Sequence, residues 1–123
     1  MNNQDYGYFR VAAAVPRVNV ADVPANVQGI IEQVELAARH GAQLLALPEM
    51  CITGYTCGDL LGNELLLDAA EQALATVQQA VKACNLMAVV GAPIRCQGHL
   101  FNCAVVMHGD KMWVVPKTYI PNY

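Results

Sequence analysis

The sequence predicts an α/β protein in which parallel strand pairing passes to an antiparallel hairpin. Apolar strand-like segments alternate with two amphipathic helical segments in the order β-α-β-α-β. Two further strand-like segments then follow, separated only by a short turn. A strand, a crossover helix and a strand form a unit whose two strands lie parallel. The first three strands are therefore expected to be parallel, and the last strands to pair as a hairpin.

The N-terminal part of the chain is predicted to form a strand and a helix. The segment FRVAAAV (9–15) is mostly apolar and is expected to be a buried strand. Asp22 is a favourable N-cap, Pro24 suits the first helical turn, and Gly41 is typical of a residue that ends a helix. Apolar residues recur at helical spacing between these limits, at Val27, Ile30, Ile31, Val34 and Ala38.

A second strand, a second helix and three more strands are predicted next. In the second strand, AQLLALPE (42–49), the apolar run Leu44 to Leu47 is continuous rather than alternating, which indicates burial on both faces. A helix follows over 64–84 and ends at Asn85. Its apolar stripe consists of Leu66, Ala70, Ala73, Val77, Ala80 and Cys84. The remaining strands are LMAVVGAPI (86–94), LFNCAVVMH (100–108) and KMWVVPK (111–117), with GD (109–110) as a tight turn.

Composition excludes several classes of protein. The chain of 123 residues is one domain at most, and it is 55% hydrophobic and only 14% charged. A net charge of -3 with scattered Lys and Arg provides no basic surface for nucleic acid. No run reaches the ~18 apolar residues that span a bilayer, and the start MNNQDYGYFR does not resemble a signal peptide. With an odd number of cysteines, five, these features favour a cytoplasmic protein with free thiols.

Two charged residues follow prolines at predicted strand ends. Glu49 follows Pro48 in LLALPEMCITGY, and Lys117 follows Pro116 in MWVVPK. Ligands of α/β sheets bind at the carboxyl ends of strands, so we expect the two charges to share a cleft. A desolvated Glu49 with a raised pKa would suit a general base, and Lys117 would suit the stabilisation of an oxyanion. A structural ion pair, or two unrelated solvated strand ends, is the alternative.

The cysteines and histidines do not indicate a metal site. The segment CQGHLFNCAVVMH (96–108) contains two of each, but Cys103 and His108 would point to opposite faces of an extended strand. Cys51 lies two residues from Glu49 and is the strongest candidate for a nucleophile among the five cysteines. A structural role is nevertheless favoured for all of them, because none has an evident thiolate-stabilising setting.

Two motifs resemble those of the nitrilase, or carbon–nitrogen hydrolase, superfamily. LLALPEMCITGYTCGDLL (44–61) resembles its first catalytic motif and MWVVPKTYIPNY (112–123) its second. DVPANVQGIIEQVELAARHGAQ (22–43) is similar to the helix that precedes the first motif. Within the superfamily, ITGYTCGDL and PKTYIPNY look most like the N-terminal glutaminase domain of glutamine-dependent NAD synthetases. The resemblance spans Phe9 to Tyr123 and implies the N-terminal part of a four-layer α-β-β-α sandwich.

The resemblance implies roles for four residues. Glu49 corresponds to the general base that deprotonates a cysteine nucleophile, and Lys117 to the lysine that supports the tetrahedral intermediate. Tyr55 and Tyr123 correspond to positions that line the glutamine pocket, although their sequence context alone leaves an ordinary packing role open. Glutamine would be the substrate of the complete domain, and its ammonia would amidate deamido-NAD in a separate synthetase domain. ATP and Mg are expected only in that synthetase domain, and no cofactor in this chain.

The resemblance also implies that residues 1–123 are the N-terminal part of a carbon–nitrogen hydrolase domain. The nucleophilic cysteine of the superfamily follows the second motif, on a later strand end. That place is not occupied by Cys51, Cys57, Cys84, Cys96 or Cys103. We therefore expect a fragment that is inactive alone, and whose uncovered apolar surface makes it a homo-oligomer or poorly soluble.

Two other interpretations stay open. In the first, the parent protein belongs to the same superfamily but is an amidase, a carbamoylase or a nitrilase, because the two strand-end motifs barely distinguish these substrates. In the second, the chain is a non-catalytic α/β interaction module, and Glu49 and Lys117 form only a structural ion pair.

Overall fold

The computed structural model of the protein describes residues 7–54 and 64–117. In these ranges the chain forms the predicted order of strands and helices, which confirms the α/β class. The elements are β1 (Val11–Ala13), α1 (Val23–Arg39), β2 (Leu44–Ala46), α2 (Glu64–Cys84), β3 (Met87–Cys96), β4 (His99–His108) and β5 (Lys111–Pro116).

The strands form a single sheet in the order β1-β2-β3-β4-β5. β1, β2 and β3 are parallel neighbours, whereas β3 pairs with β4 and β4 with β5 in antiparallel fashion. The predicted change from parallel pairing to hairpins is therefore confirmed. Because two reversals follow β3, β5 runs in the same direction as β2. The carboxyl ends of β2 and β5 consequently lie at the same edge of the sheet.

The two helices begin and end where the sequence predicts. The Asp22 side chain accepts a hydrogen bond from the N–H of Ala25 at 3.3 Å, as an N-cap does. Gly41 follows α1 with a φ of 76°, and its N–H donates to the carbonyl of Ala38 at 3.0 Å. Asn85 follows α2 with a φ of 55°. No helix in the described ranges is long and apolar enough to cross a membrane.

Both helices pack on one face of the sheet, and this interface forms the core. Ile30 and Val34 of α1 and Val77 and Val81 of α2 are completely buried. Full burial of one such side chain contributes about 1.5–3 kcal/mol. The sheet residues that meet the helices are Leu45, Ala88, Val90, Ala92, Cys103, Val105 and Met107.

The opposite face of the sheet, here called the open face, is covered by no described helix or strand, and a turn at 48–50 lies over it at Gly91. Strand alternation and register place on it Val11, Ala13, Leu44, Ala46, Met87, Val89, Ala104, Val106, Trp113 and Val115. Val11 is 61% exposed and Trp113 46% exposed. The prediction of a buried first strand over 9–15 is therefore wrong in its burial, and the strand is shorter. The expected burial of β2 on both faces is also wrong in the described structure, because helices pack on one face only and Ala46 is exposed.

Candidate active site

Glu49 lies in a turn that leaves β2 and crosses over β3. Leu47 still donates its N–H to a β3 carbonyl at 3.0 Å. Pro48 has no N–H to donate, so the pairing ends there. Beyond Glu49, the N–H of Ile52 donates to the carbonyl of Gly91 at 3.2 Å, which fastens the turn to the middle of β3. The Glu49 side chain is therefore presented from a turn that is held at both ends.

Gly91 allows the turn to lie directly on β3. A Cβ at this position would be 2.3 Å from the N of Met50, 2.6 Å from the O of Pro48 and 2.8 Å from the C of Glu49. No side chain fits between the two backbones. Sequence reasoning missed this residue, although a glycine inside the apolar strand AVVGAPI is a signal for close backbone approach.

Asn26 ties the same turn to α1. Its side chain is 1% exposed and its amide donates to the carbonyls of Asn19 at 2.8 Å and Ile52 at 2.9 Å. Its amide oxygen accepts from the N–H of Asn19 at 2.7 Å. A buried amide with all of these bonds satisfied fixes the local arrangement. The turn is thus anchored to the helix layer as well as to the sheet.

Lys117 reaches the same place from the end of β5. Its main-chain N–H donates to the carbonyl of Asn102 at 2.9 Å, which extends the β4–β5 pairing past Pro116. Its Nζ lies 2.9 Å from Oε1 of Glu49. β2 and β5 are three strand positions apart, roughly 14 Å at the usual strand spacing. The crossing turn and the long lysine side chain close that gap, so the predicted convergence of the two charges is present.

Asn102 is a site residue that sequence reasoning missed. It lies on β4, opposite Pro93, and its Nδ2 donates to Oε1 of Glu49, the same oxygen that accepts from Lys117. The available signal was an amide in the otherwise apolar segment LFNCAVVM.

The three polar side chains border a pocket of ≈ 350 Å³. Its floor and walls are mostly apolar, which is usual for small-molecule sites. The lining residues are Leu47, Pro48, Glu49, Val89, Val90, Gly91, Asn102, Cys103, Ala104, Val115, Pro116 and Lys117. Because Val89, Ala104 and Val115 also belong to the open face, the pocket and that face are continuous.

The pKa of Glu49 is lowered, not raised as expected from the sequence. The hydrogen bond from Lys117 lowers it most, and desolvation opposes this only in part. The hydrogen bond from Asn102 and the charge of Lys117 lower the pKa further. The expectation was wrong because the Glu49 side chain is 44% exposed and that of Lys117 37% exposed. Glu49 is consequently an ionised carboxylate at neutral pH, able to accept a proton.

The described cysteines are not arranged as nucleophiles for Glu49. Cys51 is 1% exposed, and desolvation raises the pKa of its thiol to about 11. Burial also raises the pKa of Cys103, which faces the helices from β4. Cys84 lies at the end of α2, and Cys96 at the end of β3. The structural role that the sequence favours for Cys51 agrees with this burial.

The remaining candidates from the sequence are tyrosines for a ligand pocket, and cysteines and histidines as metal ligands. Tyr55, Tyr123 and Cys57 lie outside the described residues. Cys103 and His108 are five positions apart on β4, which places them on opposite faces of the sheet. Across 7–54 and 64–117, no group of three or more His, Cys, Asp or Glu side chains is placed to hold a metal ion.

Fold and site together define a member of the carbon-nitrogen hydrolases. That family matches residues 10–120, which is nearly the whole chain. The chain therefore belongs to the carbon-nitrogen hydrolase family, and the resemblance seen in its two strand-end motifs is confirmed.

Among characterised relatives, the chain is similar to glutamine-dependent NAD(+) synthetases. It is 36% identical over 119 residues to that of Mycobacterium tuberculosis, covering 96% of this chain and 18% of the relative. It is 30% identical over 123 residues to that of Mycobacterium leprae, covering 99% of this chain and 18% of the relative. The chain thus spans about a fifth of the length of these relatives.

Solved structures confirm the nitrilase-like fold. A glutamine-dependent NAD(+) synthetase from Cytophaga hutchinsonii superimposes with a TM-score of 0.81 at 28% identity, over 93% of this chain and 20% of that one. A mutant of the amidase from Nesterenkonia sp. in complex with butyramide gives a TM-score of 0.83 at 17% identity, over 94% of this chain and 45% of that one. The amidase similarity concerns the fold alone.

Proposed function

We propose that residues 1–123 form the N-terminal part of the glutaminase domain of a glutamine-dependent NAD synthetase. The observation that carries the proposal is the 2.9 Å contact between Lys117 Nζ and Glu49 Oε1 at one pocket edge. Such a contact fits an acid–base residue and an oxyanion-stabilising residue that act on the same substrate group. The 36% identity to NAD synthetases favours glutamine as the substrate of the complete domain.

In this proposal Glu49 is the general base and Lys117 stabilises developing negative charge. Glu49 takes the proton from a cysteine thiol, and the thiolate attacks the carboxamide carbon of glutamine. The carbonyl oxygen becomes an oxyanion, which the ammonium of Lys117 stabilises. The C–N bond then breaks, the proton held by Glu49 passes to the departing nitrogen, and a thioester and ammonia remain. Water hydrolyses the thioester to glutamate and regenerates the thiol.

The nucleophile in this scheme is not one of the described cysteines. Cys51 is buried with a raised pKa, and its Sγ lies 3.5 Å from the backbone N of Gly91. We propose that the nucleophile is supplied from outside the described residues, and that the 123-residue chain alone does not hydrolyse glutamine. A mutant of the Nesterenkonia amidase carries the acetamide moiety of fluoroacetamide covalently at its active site cysteine, which supports a cysteine nucleophile in this fold.

Two further roles are part of the proposal. Tyr55 follows the turn that presents Glu49, and Tyr123 follows the segment that begins at Lys117. We assign both to the wall of the glutamine pocket. The amidation of deamido-NAD, and with it the need for ATP and Mg, belongs to a separate synthetase domain rather than to these residues.

The decisive experiment compares two nitrogen sources in the protein encoded by the complete reading frame that contains this chain. Glu49→Gln should abolish glutamine-dependent NAD synthesis and leave ammonia-dependent synthesis intact, because only ammonia bypasses the glutaminase site. Glu35→Gln, which changes an exposed carboxylate of α1, is the matched control and should retain both activities. Equal glutamine-dependent rates in Glu49→Gln and the wild type would refute the assignment of the base. Amide hydrolysis without NAD synthesis would instead identify a stand-alone amidase.

A second test concerns the chain by itself. Incubation of the 123-residue chain with glutamine should release no ammonia. Release of ammonia that is lost in Cys51→Ala would overturn the assignment of the nucleophile to another segment.

We also propose that the isolated chain associates with itself through the open face and that it is cytoplasmic. Association is supported by the exposed apolar side chains of β1 and β5, including Trp113 and Val115. The four described cysteines are free, which fits a reducing compartment. Light scattering should show an oligomer that Trp113→Lys weakens. A wild-type monomer that binds no apolar dye would contradict the association.

A further inference from the structure

Asn102 stands out because its amide lies beside Ala104 and Val115, apolar residues of the open face that line the pocket. Its neighbours across the strand pairs are Pro93 on β3 and Lys117 beyond β5. The main-chain carbonyl of Asn102 is used by Lys117, so the side-chain amide is the group of Asn102 that remains for another partner. That amide donates to Glu49.

Asn102 contacts both members of the ion pair through different atoms. Its main-chain carbonyl accepts from the N–H of Lys117 at 2.9 Å, which fixes where the lysine side chain starts. Its side-chain Nδ2 donates to Oε1 of Glu49. The ammonium of Lys117 donates to that same oxygen at 2.9 Å. One residue therefore sets the position of the lysine backbone and of the glutamate head group at once.

The two donors converge on a single carboxylate oxygen. Among the described residues, Oε1 of Glu49 receives both hydrogen bonds, and no donor contacts Oε2. Two donors on one oxygen restrict rotation of the carboxylate more than one flexible lysine does, because the amide is held on a strand. The second oxygen is then left in a fixed position with its lone pairs available.

We propose that Asn102 is a positioning residue: it directs Oε1 of Glu49 toward Lys117 and keeps Oε2 as the oxygen that accepts the proton. The catalytic meaning of this arrangement rests on the proposed function. The arrangement itself does not, because it consists of contacts within the chain. A merely structural amide would fill space on β4 and leave the ionisation of Glu49 unchanged.

The test is the titration of Glu49, followed by carbon-13 NMR of labelled glutamate carboxyls in the 123-residue chain. The chain contains five glutamates, and Glu49→Gln identifies the signal of interest. The measurement is made at a concentration where light scattering shows a monomer. Asn102→Leu removes the donor with little change in size, and should shift the Glu49 midpoint upward. Asn102→Asp adds a competing carboxylate and should shift it further upward.

The variants are expected to remain folded, because the carbonyl of residue 102 still pairs with the N–H of Lys117. Gln72→Leu is the matched control: it removes a carboxamide from an exposed position on α2 and should leave the Glu49 midpoint unchanged. Amide spectra establish that each variant is folded. If Asn102→Leu unfolds the chain, Asn102→Ser serves as the milder change, with the same upward shift expected.

The outcomes separate this inference from the proposed function. Folded Asn102 variants with the wild-type Glu49 midpoint would overturn the positioning role. If Lys117→Met shifts the midpoint and the Asn102 variants do not, the ion pair acts without the amide. Absence of glutamine-dependent NAD synthesis in the complete protein would refute the proposed function and leave the titration result standing.

Discussion

Replacement of Gly91 with alanine tests whether the turn that carries Glu49 depends on its close approach to β3. The added Cβ would lie 2.3 Å from Met50 N and 2.6 Å from Pro48 O, whereas real Cβ contacts essentially never fall under 3.0 Å. Both contacted atoms belong to the backbone, so a change of side-chain rotamer cannot relieve the overlap. The backbone of the turn and the backbone of β3 therefore have to move apart by at least ~0.7 Å.

The turn should move rather than β3, because Gly91 lies within the long β3–β4 ladder, whereas only hydrogen bonds near its two ends hold the turn to β3. If the turn moves by that amount away from Lys117, the 2.9 Å contact between Lys117 Nζ and Glu49 Oε1 lengthens to about 3.6 Å, beyond hydrogen-bond range. Overpacking of a well-packed region costs about 1–3 kcal/mol. We therefore expect Gly91→Ala to lower the free energy of unfolding by about that amount, and to raise the pKa of Glu49 toward its ordinary value.

Urea denaturation measures the free energy of unfolding, and carbon-13 titration measures the pKa of Glu49. Gly29→Ala is the matched control, since a Cβ there would be 3.8 Å from the nearest atom outside the backbone of α1, in which the residue lies. Alanine in place of a helical glycine should raise the free energy of unfolding by about 0.5–1 kcal/mol. A folded Gly91→Ala chain with wild-type stability and an unchanged Glu49 midpoint would refute the reasoning.

Three other measurements follow from the same contacts. Because folding lowers the pKa of Glu49, the wild type should be more stable than Glu49→Gln above the ordinary carboxyl pKa, by no more than about 1 kcal/mol for such an exposed pair. The wild type should lose this advantage as the pH falls through the folded-state pKa. Urea denaturation between neutral and acidic pH measures the difference in stability, and a difference that does not change with pH would contradict the prediction. Iodoacetamide should alkylate the exposed Cys96 well before Cys51, whose buried thiol has a pKa of about 11, as read by peptide mass spectrometry; the reverse order would show that Cys51 is accessible. Asn26→Ala should lower the free energy of unfolding by at least about 1–3 kcal/mol, because the carbonyl of Ile52 loses its donor in a buried site; unchanged urea denaturation would show that this bond contributes nothing.

The order and pairing of the elements could be predicted because local signals set them. Asp22 and Gly41 bound α1, and the GD turn bounds the last hairpin. The βαβ rule then places the first three strands in parallel. Burial could not be predicted in the same way, because an apolar strand does not reveal how many layers cover it. The strands that contain Ala46 and Val11 are as apolar as strands buried on both faces, yet both residues are exposed in the described structure.

The site was predictable in part. The prolines before Glu49 and Lys117 mark two strand ends, and the parallel direction of β2 and β5 brings those ends to one edge. The direction of the Glu49 pKa shift was not predictable, because it depends on the distance to Lys117 and on exposure to water. Asn102 and Gly91 contribute through a contact across strands, and a single sequence does not show which strand positions face each other.

The lowered pKa of Glu49 and its proposed role as a base are linked through the continuity of the pocket with the open face. Val89, Ala104 and Val115 belong to both, so a layer packed on the open face would also border the pocket. Such packing would remove water from two side chains that are more than a third exposed. The desolvation that opposes the lowering of the Glu49 pKa would then increase, and so would the attraction of Lys117 that lowers it. A base of the proposed kind therefore requires desolvation to outweigh that attraction, and this balance depends on what covers the open face.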